Sequence, residues 1–149
     1  MGFKRQIKVR FGDTDPAGVM YFPRFLDVFH QVYEDWFDDE LGIGYRWSIE
    51  DALVGFPTVS AKTEYRGPFR FGEMMEIELT LTKLGDRSMT TTYKARGLGE
   101  DRVRVFCEVV SVVCDMQTFE SVDMPAPLRA ALESRLEPTV REVPRVASK

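Results

Sequence analysis

The sequence predicts an α+β domain in which one long buried helix packs against a curved antiparallel sheet. Three observations carry that expectation. Apolar residues at 22, 25, 26, 29, 32, 33, 36, 37 and 41 step by three and four, the period of a helix with one buried stripe. Met75, Ile77, Leu79 and Leu81 alternate with Glu76, Glu78, Thr80 and Thr82, the period of a strand with one dry and one wet face. The order of segments is one strand, the helix, then four antiparallel strands, so a single helix and a single sheet bury each other's apolar faces.

Each element has a local reason. Ile7, Val9 and Phe11 form an apolar strand pattern that stops at Gly12, and an acidic turn through Asp13, Thr14, Asp15, Pro16, Ala17 and Gly18 leads into the helix. The helix fades near Leu41 and Gly42. Ser48 opens a short capped helical turn over 48–53. Val59, Ala61, Thr63 and Tyr65 share one parity, and Gly67-Pro68 ends that strand. Gly85-Asp86 connects the alternating strand to the next, over 87–95, and residues 97–101 (Gly-Leu-Gly-Glu-Asp) form the following turn. The last strand, 103–116, is apolar on both parities at Val109, Val110, Val112 and Val113, so it is expected to be central or covered at an interface. Residues 125–136 read as a terminal helix. Residues 1–137 make one domain, and 138–149 a polar tail interrupted by Pro144.

A chain of 149 residues is one ordinary domain that buries roughly 70% of its unfolded surface. The net charge of −4 argues against nucleic acid as a general partner. No window approaches a membrane-spanning apolar run, and no charged segment followed by an apolar one opens the chain, so neither a membrane partner nor a signal peptide is expected. Cys107 and Cys114 fall on one strand about 23 Å apart, too far to bridge. They read as buried thiols of a reducing, cytoplasmic compartment. His30 is the one histidine, which leaves little for a zinc site. There is no glycine-rich phosphate loop and no G-x-S-x-G serine motif. No cofactor or metal is expected.

The acidic turn holds the chemistry. Asp, Thr, Gly and Pro are common turn and cap formers, so the segment reads first as a strand-to-helix connection. It also sets a carboxylate just ahead of the positive end of a helix, where unpaired N–H groups polarise a carbonyl oxygen. That pairing suits acyl transfer.

The run Gly12-Asp13-Thr14-Asp15-Pro16-Ala17-Gly18, followed by Val19-Met20 and the aromatic pair Tyr21-Phe22, resembles the signature of hotdog-fold acyl-CoA thioesterases of the 4-hydroxybenzoyl-CoA thioesterase-like family. The resemblance extends over 7–116. It takes in the turn from Tyr65 through Pro68 to Gly72-Glu73, and the basic-Ser pair Arg87-Ser88. It implies the hotdog fold, a curved antiparallel sheet wrapped around one long central helix. It also implies an acyl-CoA substrate, hydrolysis to free acid and CoA, and a homodimer or homotetramer with active sites at subunit interfaces.

Residue by residue, the resemblance makes Asp15 the catalytic carboxylate, as nucleophile or as general base, with both routes open. It makes the backbone N–H of Phe22 the group that polarises the thioester oxygen. Gly18, which would let the loop approach closely, and Tyr21 border the substrate. Asp13 is a supporting turn residue. Arg87 and Ser88, near Lys83, would bind CoA phosphates, with Arg66 and Arg70 as further candidates. Thr58 and Ser60 would line the acyl pocket. Phe25, Phe29, Tyr33, Trp36 and Phe37 read as core. Two departures stand out. His30 falls where the 4-hydroxybenzoyl-CoA enzyme has an acid that contacts the substrate hydroxyl, and Phe22 replaces a histidine of some relatives. The rival readings are a hydratase or dehydratase, disfavoured by the single histidine, a non-catalytic acyl-CoA-binding protein, and an acyl-carrier-protein thioesterase.

Overall fold

The long helix stands where the hydrophobic period puts it, whereas the first strand lies earlier than its apolar pattern predicts. That strand ends at Lys8, and Phe11, expected in it, falls exposed in a 3-10 turn. In the computed structural model, which describes residues 2–138, strand β1 spans Phe3–Lys8 and helix α1 spans Arg24–Asp35. The helix then widens to i→i+5 bonding over Trp36–Glu40, with the Leu41 N–H bonded to the Trp36 carbonyl at 3.0 Å. The apolar stripe stays continuous through that widened turn. Phe25, Val28, Phe29, Val32, Tyr33, Trp36 and Phe37 are all buried.

The sheet follows as β3 (Thr58–Tyr65), β4 (Met74–Leu84), β5 (Ser88–Gly97) and β6 (Val103–Val112), after a two-residue strand β2, Val54–Gly55. Its order is β1-β4-β5-β6-β3, antiparallel throughout. β1 and β3 are therefore the edges. Met75, Ile77, Leu79 and Leu81 of β4 are buried on one parity, as their alternation predicts. The helix packs on that face: the Phe29 ring stacks on Tyr93 of β5 at 5.1 Å and 14°, and the Tyr33 hydroxyl lies 3.4 Å from the Met89 sulfur. Burial pushes both tyrosine hydroxyls above their ordinary titration range. Helix α3, Ala126–Glu133, adds Leu128 and Leu132 to the core.

Three expectations need correction. The helical turn expected from Ser48 is helix α2, Tyr45–Glu50, which begins three residues earlier. Its start is held from a distance, by Asp38 Oδ1 accepting the Tyr45 N–H at 2.9 Å. Ser48 lies buried inside it, with no hydrogen-bond partner for its hydroxyl among the described residues. The last strand is not continuous over 103–116. It ends at Val112, and Val113 turns away to bond the Arg87 carbonyl. Cys114–Asp115 then form a separate strand, β7, paired with β2. Both thiols are free and buried, and burial raises that of Cys107. Val110 and Val112 are only half-buried in the single chain, because β6 is covered on its inner face alone. Most of the 138–149 tail lies outside the described residues. No described helix is long and apolar enough to cross a membrane.

Candidate active site

Two main-chain hydrogen bonds fix the frame of the acidic turn. Val9 donates to the Glu73 carbonyl at 2.8 Å, and Gly72 donates to the Val9 carbonyl at 2.9 Å. The chain leaving β1 is thus tied to the turn ahead of β4. A 3-10 turn over Phe11–Asp13 follows.

Asp13 clamps both ends of the loop. Its carboxylate accepts the Arg10 N–H at 2.9 Å and Arg24 Nε at 2.8 Å, while its carbonyl accepts the Tyr21 N–H at 2.9 Å. Burial alone would raise the proton affinity of this carboxyl. The Arg10 N–H and the Arg24 guanidinium outweigh it and hold the group below the usual carboxylate range. Arg24 belongs to the first turn of α1 and also pairs with Asp27.

Between those ends the loop closes like a small hairpin. Thr14 bridges Met20, Asp15 N–H bonds the Val19 carbonyl at 3.0 Å, and Gly18 N–H bonds the Asp15 carbonyl at 2.9 Å. Gly18 has φ +79°, and nothing lies within 4 Å of where a Cβ would stand. Its backbone conformation calls for glycine. The crowding expected from a close approach is absent in the single chain. Asp15 is half-buried, with Oδ1 accepting the Ala17 N–H at 2.9 Å and no cationic partner among the described residues.

Phe22 stands at the head of α1. Its carbonyl accepts the Tyr65 hydroxyl at 3.0 Å and the Phe25 N–H at 3.4 Å. Its own N–H has no acceptor among the described residues. The neighbouring N–H groups are taken: Tyr21 by Asp13, Arg24 by the Tyr21 carbonyl, Leu26 by the Pro23 carbonyl. One donor is thus left free, next to a cavity of about 380 Å³ bordered by Met20, Phe22, Phe25, Tyr65, Arg66 and Phe69.

The other expected site residues lie elsewhere in the single chain. Tyr21 is exposed beside Phe22, ring centroids 5.4 Å apart. His30 is on the exposed flank of α1, with Nδ1 2.9 Å from Glu34 Oε2 and its ring near Tyr33 and Tyr45. Thr58 and Ser60 open β3, at the opposite end of that strand from Tyr65. Ser88 opens β5 opposite Val112, near that same end. Arg87 is engaged by Asp123 at 2.8 Å and by the Ser121 carbonyl at 3.3 Å. Lys83 lies in β4 close to the turn that leads to Arg87. The residue passed over in the sequence is Tyr65. Its place in the Tyr65-to-Gly72 turn motif was the available signal, but the partner it reaches is 43 positions away. No group of His, Cys, Asp and Glu among the described residues is arranged to hold a metal ion.

Comparison with known proteins bears on the fold and the family. The model of the thioesterase-like superfamily matches residues 9–132. A 1,4-dihydroxy-2-naphthoyl-CoA hydrolase of Synechococcus elongatus is 39% identical over 93 residues, 62% of this chain and 68% of that protein. The enzyme of that name from Thermosynechococcus vestitus is 29% identical over 132 residues, 89% of each chain. Among solved structures, the 1,4-dihydroxy-2-naphthoyl-CoA thioesterase of Synechocystis superposes with TM-score 0.80 at 23% identity, covering 89% of this chain and 96% of that one. A gentisyl-coenzyme A thioesterase superposes with TM-score 0.76 at 25% identity, covering 87% and 99%. The helix cradled by an antiparallel sheet is the hotdog fold, and the chain belongs to the thioesterase-like superfamily of thioester hydrolases.

Proposed function

We propose that the chain hydrolyses a hydroxylated aryl-CoA thioester to the free acid and CoA. The observation that carries this reading is the Phe22 N–H at the head of α1, without an acceptor among the described residues, reached from a loop whose Asp15 carboxylate has no cationic partner among them. In the hydrolysis, the Phe22 N–H donates to the thioester oxygen and more strongly to the oxyanion of the tetrahedral intermediate. Asp15 either takes a proton from an attacking water or attacks the carbonyl itself to form a mixed anhydride that water then opens. In either case the C–S bond breaks and the CoA sulfur leaves as thiolate, to be protonated by solvent. The aryl preference rests on relatives named for 1,4-dihydroxy-2-naphthoyl-CoA and gentisyl-CoA, and on the aromatic border of the cavity at Phe22, Phe25, Tyr65 and Phe69.

The reading includes a homodimer. β3 is a sheet edge with Val59 60% and Tyr65 44% exposed, an unfavourable surface to leave in water. Two copies of β3 pairing antiparallel about a two-fold axis would bring the Thr58 and Ser60 end of one copy beside the Tyr65 and Phe22 end of the other. Those hydroxyls would then face the cavity they cannot reach within one chain.

The test is free-thiol release from hydroxyaryl-, aryl- and alkyl-CoA thioesters, with wild type beside Asp15→Asn. The expected result is fastest turnover of a hydroxyaryl thioester and a fall in kcat of at least about 10³ in the variant. Full activity in Asp15→Asn would make Asp15 a turn residue and overturn the mechanism. Absence of thiol release from every thioester would overturn the hydrolase reading in favour of a binding protein.

A further inference from the structure

Phe11 and Phe71 form an edge-to-face pair, ring centroids 5.7 Å apart at 79°, yet they are 77% and 59% exposed. Two large aromatic rings held together in water need a reason. Each is preceded in the chain by an exposed arginine, Arg10 and Arg70. Most described arginines are occupied by carboxylates: Arg24 by Asp13, Arg66 by Glu64, Arg87 by Asp123, Arg96 by Glu78 and Arg104 by Glu73. Arg10 and Arg70 make no ion pair among the described residues. The two Arg-Phe dipeptides come from separate loops, brought side by side by the Val9–Glu73 and Gly72–Val9 hydrogen bonds.

The patch also adjoins the reaction loop. Arg70 bridges Val19, whose carbonyl is bonded to the Asp15 N–H. The backbone path from Phe71 through Arg70 and Val19 to Asp15 is about 15 Å, within the reach of a flexible pantetheine arm.

We propose that Arg10, Phe11, Arg70 and Phe71 form the docking site for the nucleotide end of the CoA thioester. The adenine stacks on the open face of one ring of the perpendicular pair, since aromatic faces accept any base, and the phosphates pair with the Arg10 and Arg70 guanidinium groups. This rests on the CoA-thioester reading of the Asp15 loop. It assigns phosphate recognition to arginines that make no ion pair among the described residues, in place of Arg87, which Asp123 already holds.

Two measurements test it. Calorimetric titration with adenosine 3′,5′-bisphosphate and with CoA should show binding to wild type, weakened about tenfold or more in Arg10→Ala/Arg70→Ala and in Phe71→Ala. All four side chains are on the surface, and an unchanged Tm would confirm an intact fold. In kinetics, the double variant should lose about tenfold in kcat/KM on an acyl-CoA relative to the same acyl group on N-acetylcysteamine, which carries no nucleotide. Equal losses on both thioesters, or unchanged CoA affinity in the variants, would overturn the nucleotide site while leaving hydrolysis intact. If variant affinity falls only for a phosphopantetheinyl carrier protein, the patch receives a protein and the proposal fails. If wild type cleaves nothing yet binds CoA in a patch-dependent way, the hydrolase reading fails and the nucleotide site stands.

Discussion

The Tyr65 hydroxyl donates to the Phe22 carbonyl at 3.0 Å, so the last residue of β3 holds the residue whose N–H is free at the head of α1. The Tyr65 ring also meets Phe22 and Phe25 edge-on, with centroids 6.0 and 5.7 Å away. Tyr65→Phe keeps those ring contacts and removes only the hydrogen bond. If that bond orients the Phe22 peptide, kcat falls about three- to tenfold, the equivalent of one neutral hydrogen bond, with Tm nearly unchanged. A shift in KM alone would mean that Tyr65 lines the substrate cavity without positioning the donor.

Asp13 gives the fold a pH dependence whose sign follows from its partners. Its folded-state affinity for a proton is depressed, despite burial, by the Arg10 N–H and Arg24. A depressed carboxylate contributes stability that is fully present above its unfolded value, 3.8, and lost as pH falls through the lower folded one. Asp13→Asn should therefore destabilise by about 1–2 kcal/mol at pH 7, discounted for the half-exposed Arg24. The difference from wild type should shrink as pH falls below 3.8 in denaturant melts. A pH-independent difference would assign the loss to loop packing.

Regular periods were legible in the sequence, and so were turns whose chemistry is local. The 3.6-residue stripe of α1 reappears from Phe25 to Phe37, with Phe22 and Leu26 left exposed, and the two-residue alternation of β4 holds from Met75 to Leu81, before a register shift buries Thr82. The loop from Asp13 to Gly18 was recognisable because Asp and Gly satisfy nearby N–H groups and an unusual φ within a few residues. Elements held from a distance were not. α2 starts at Tyr45 because Asp38 reaches forward seven positions, and Ser48, a residue that ordinarily caps, is buried instead. The break at Val113 comes from the Arg87 carbonyl and the pairing of Cys114 with Gly55, and the valine run gives no hint of either. Arg87 looked free in the sequence because Asp123 lies 36 positions away. An arginine's availability depends on tertiary neighbours, which composition does not reveal.

The edge strand supplies a test of assembly that is independent of chemistry. Val59 is 60% exposed on β3, and a second β3 laid against it would remove that surface from water. Val59→Asp should leave the secondary structure intact, since the side chain is not part of the core, and place like charges across a two-fold pairing. Sedimentation should then show wild type as a dimer or larger and the variant near the chain mass of 17.1 kDa. Loss of thiol release in the same variant would tie the cavity to the pairing. Wild type sedimenting as a monomer would remove the partner from the site.

Gly18 separates conformation from space. Its φ of +79° disfavours any side chain, while the region where a Cβ would stand is empty within 4 Å. The two causes predict different series. If conformation alone matters, Asn, which tolerates left-handed backbone, should be accepted better than Ala, and Ala better than Val, with losses rising from a few tenths to about 2 kcal/mol. If the substrate passes over the glycine, even Gly18→Asn should raise KM for the thioester while its Tm stays close to wild type. Tm and KM moving together across the series would assign Gly18 to the loop, and KM rising with Tm held would place it against the substrate. The Asp15 N–H and carbonyl are both bonded within this loop, so kcat should follow Tm in the first case and be largely spared in the second.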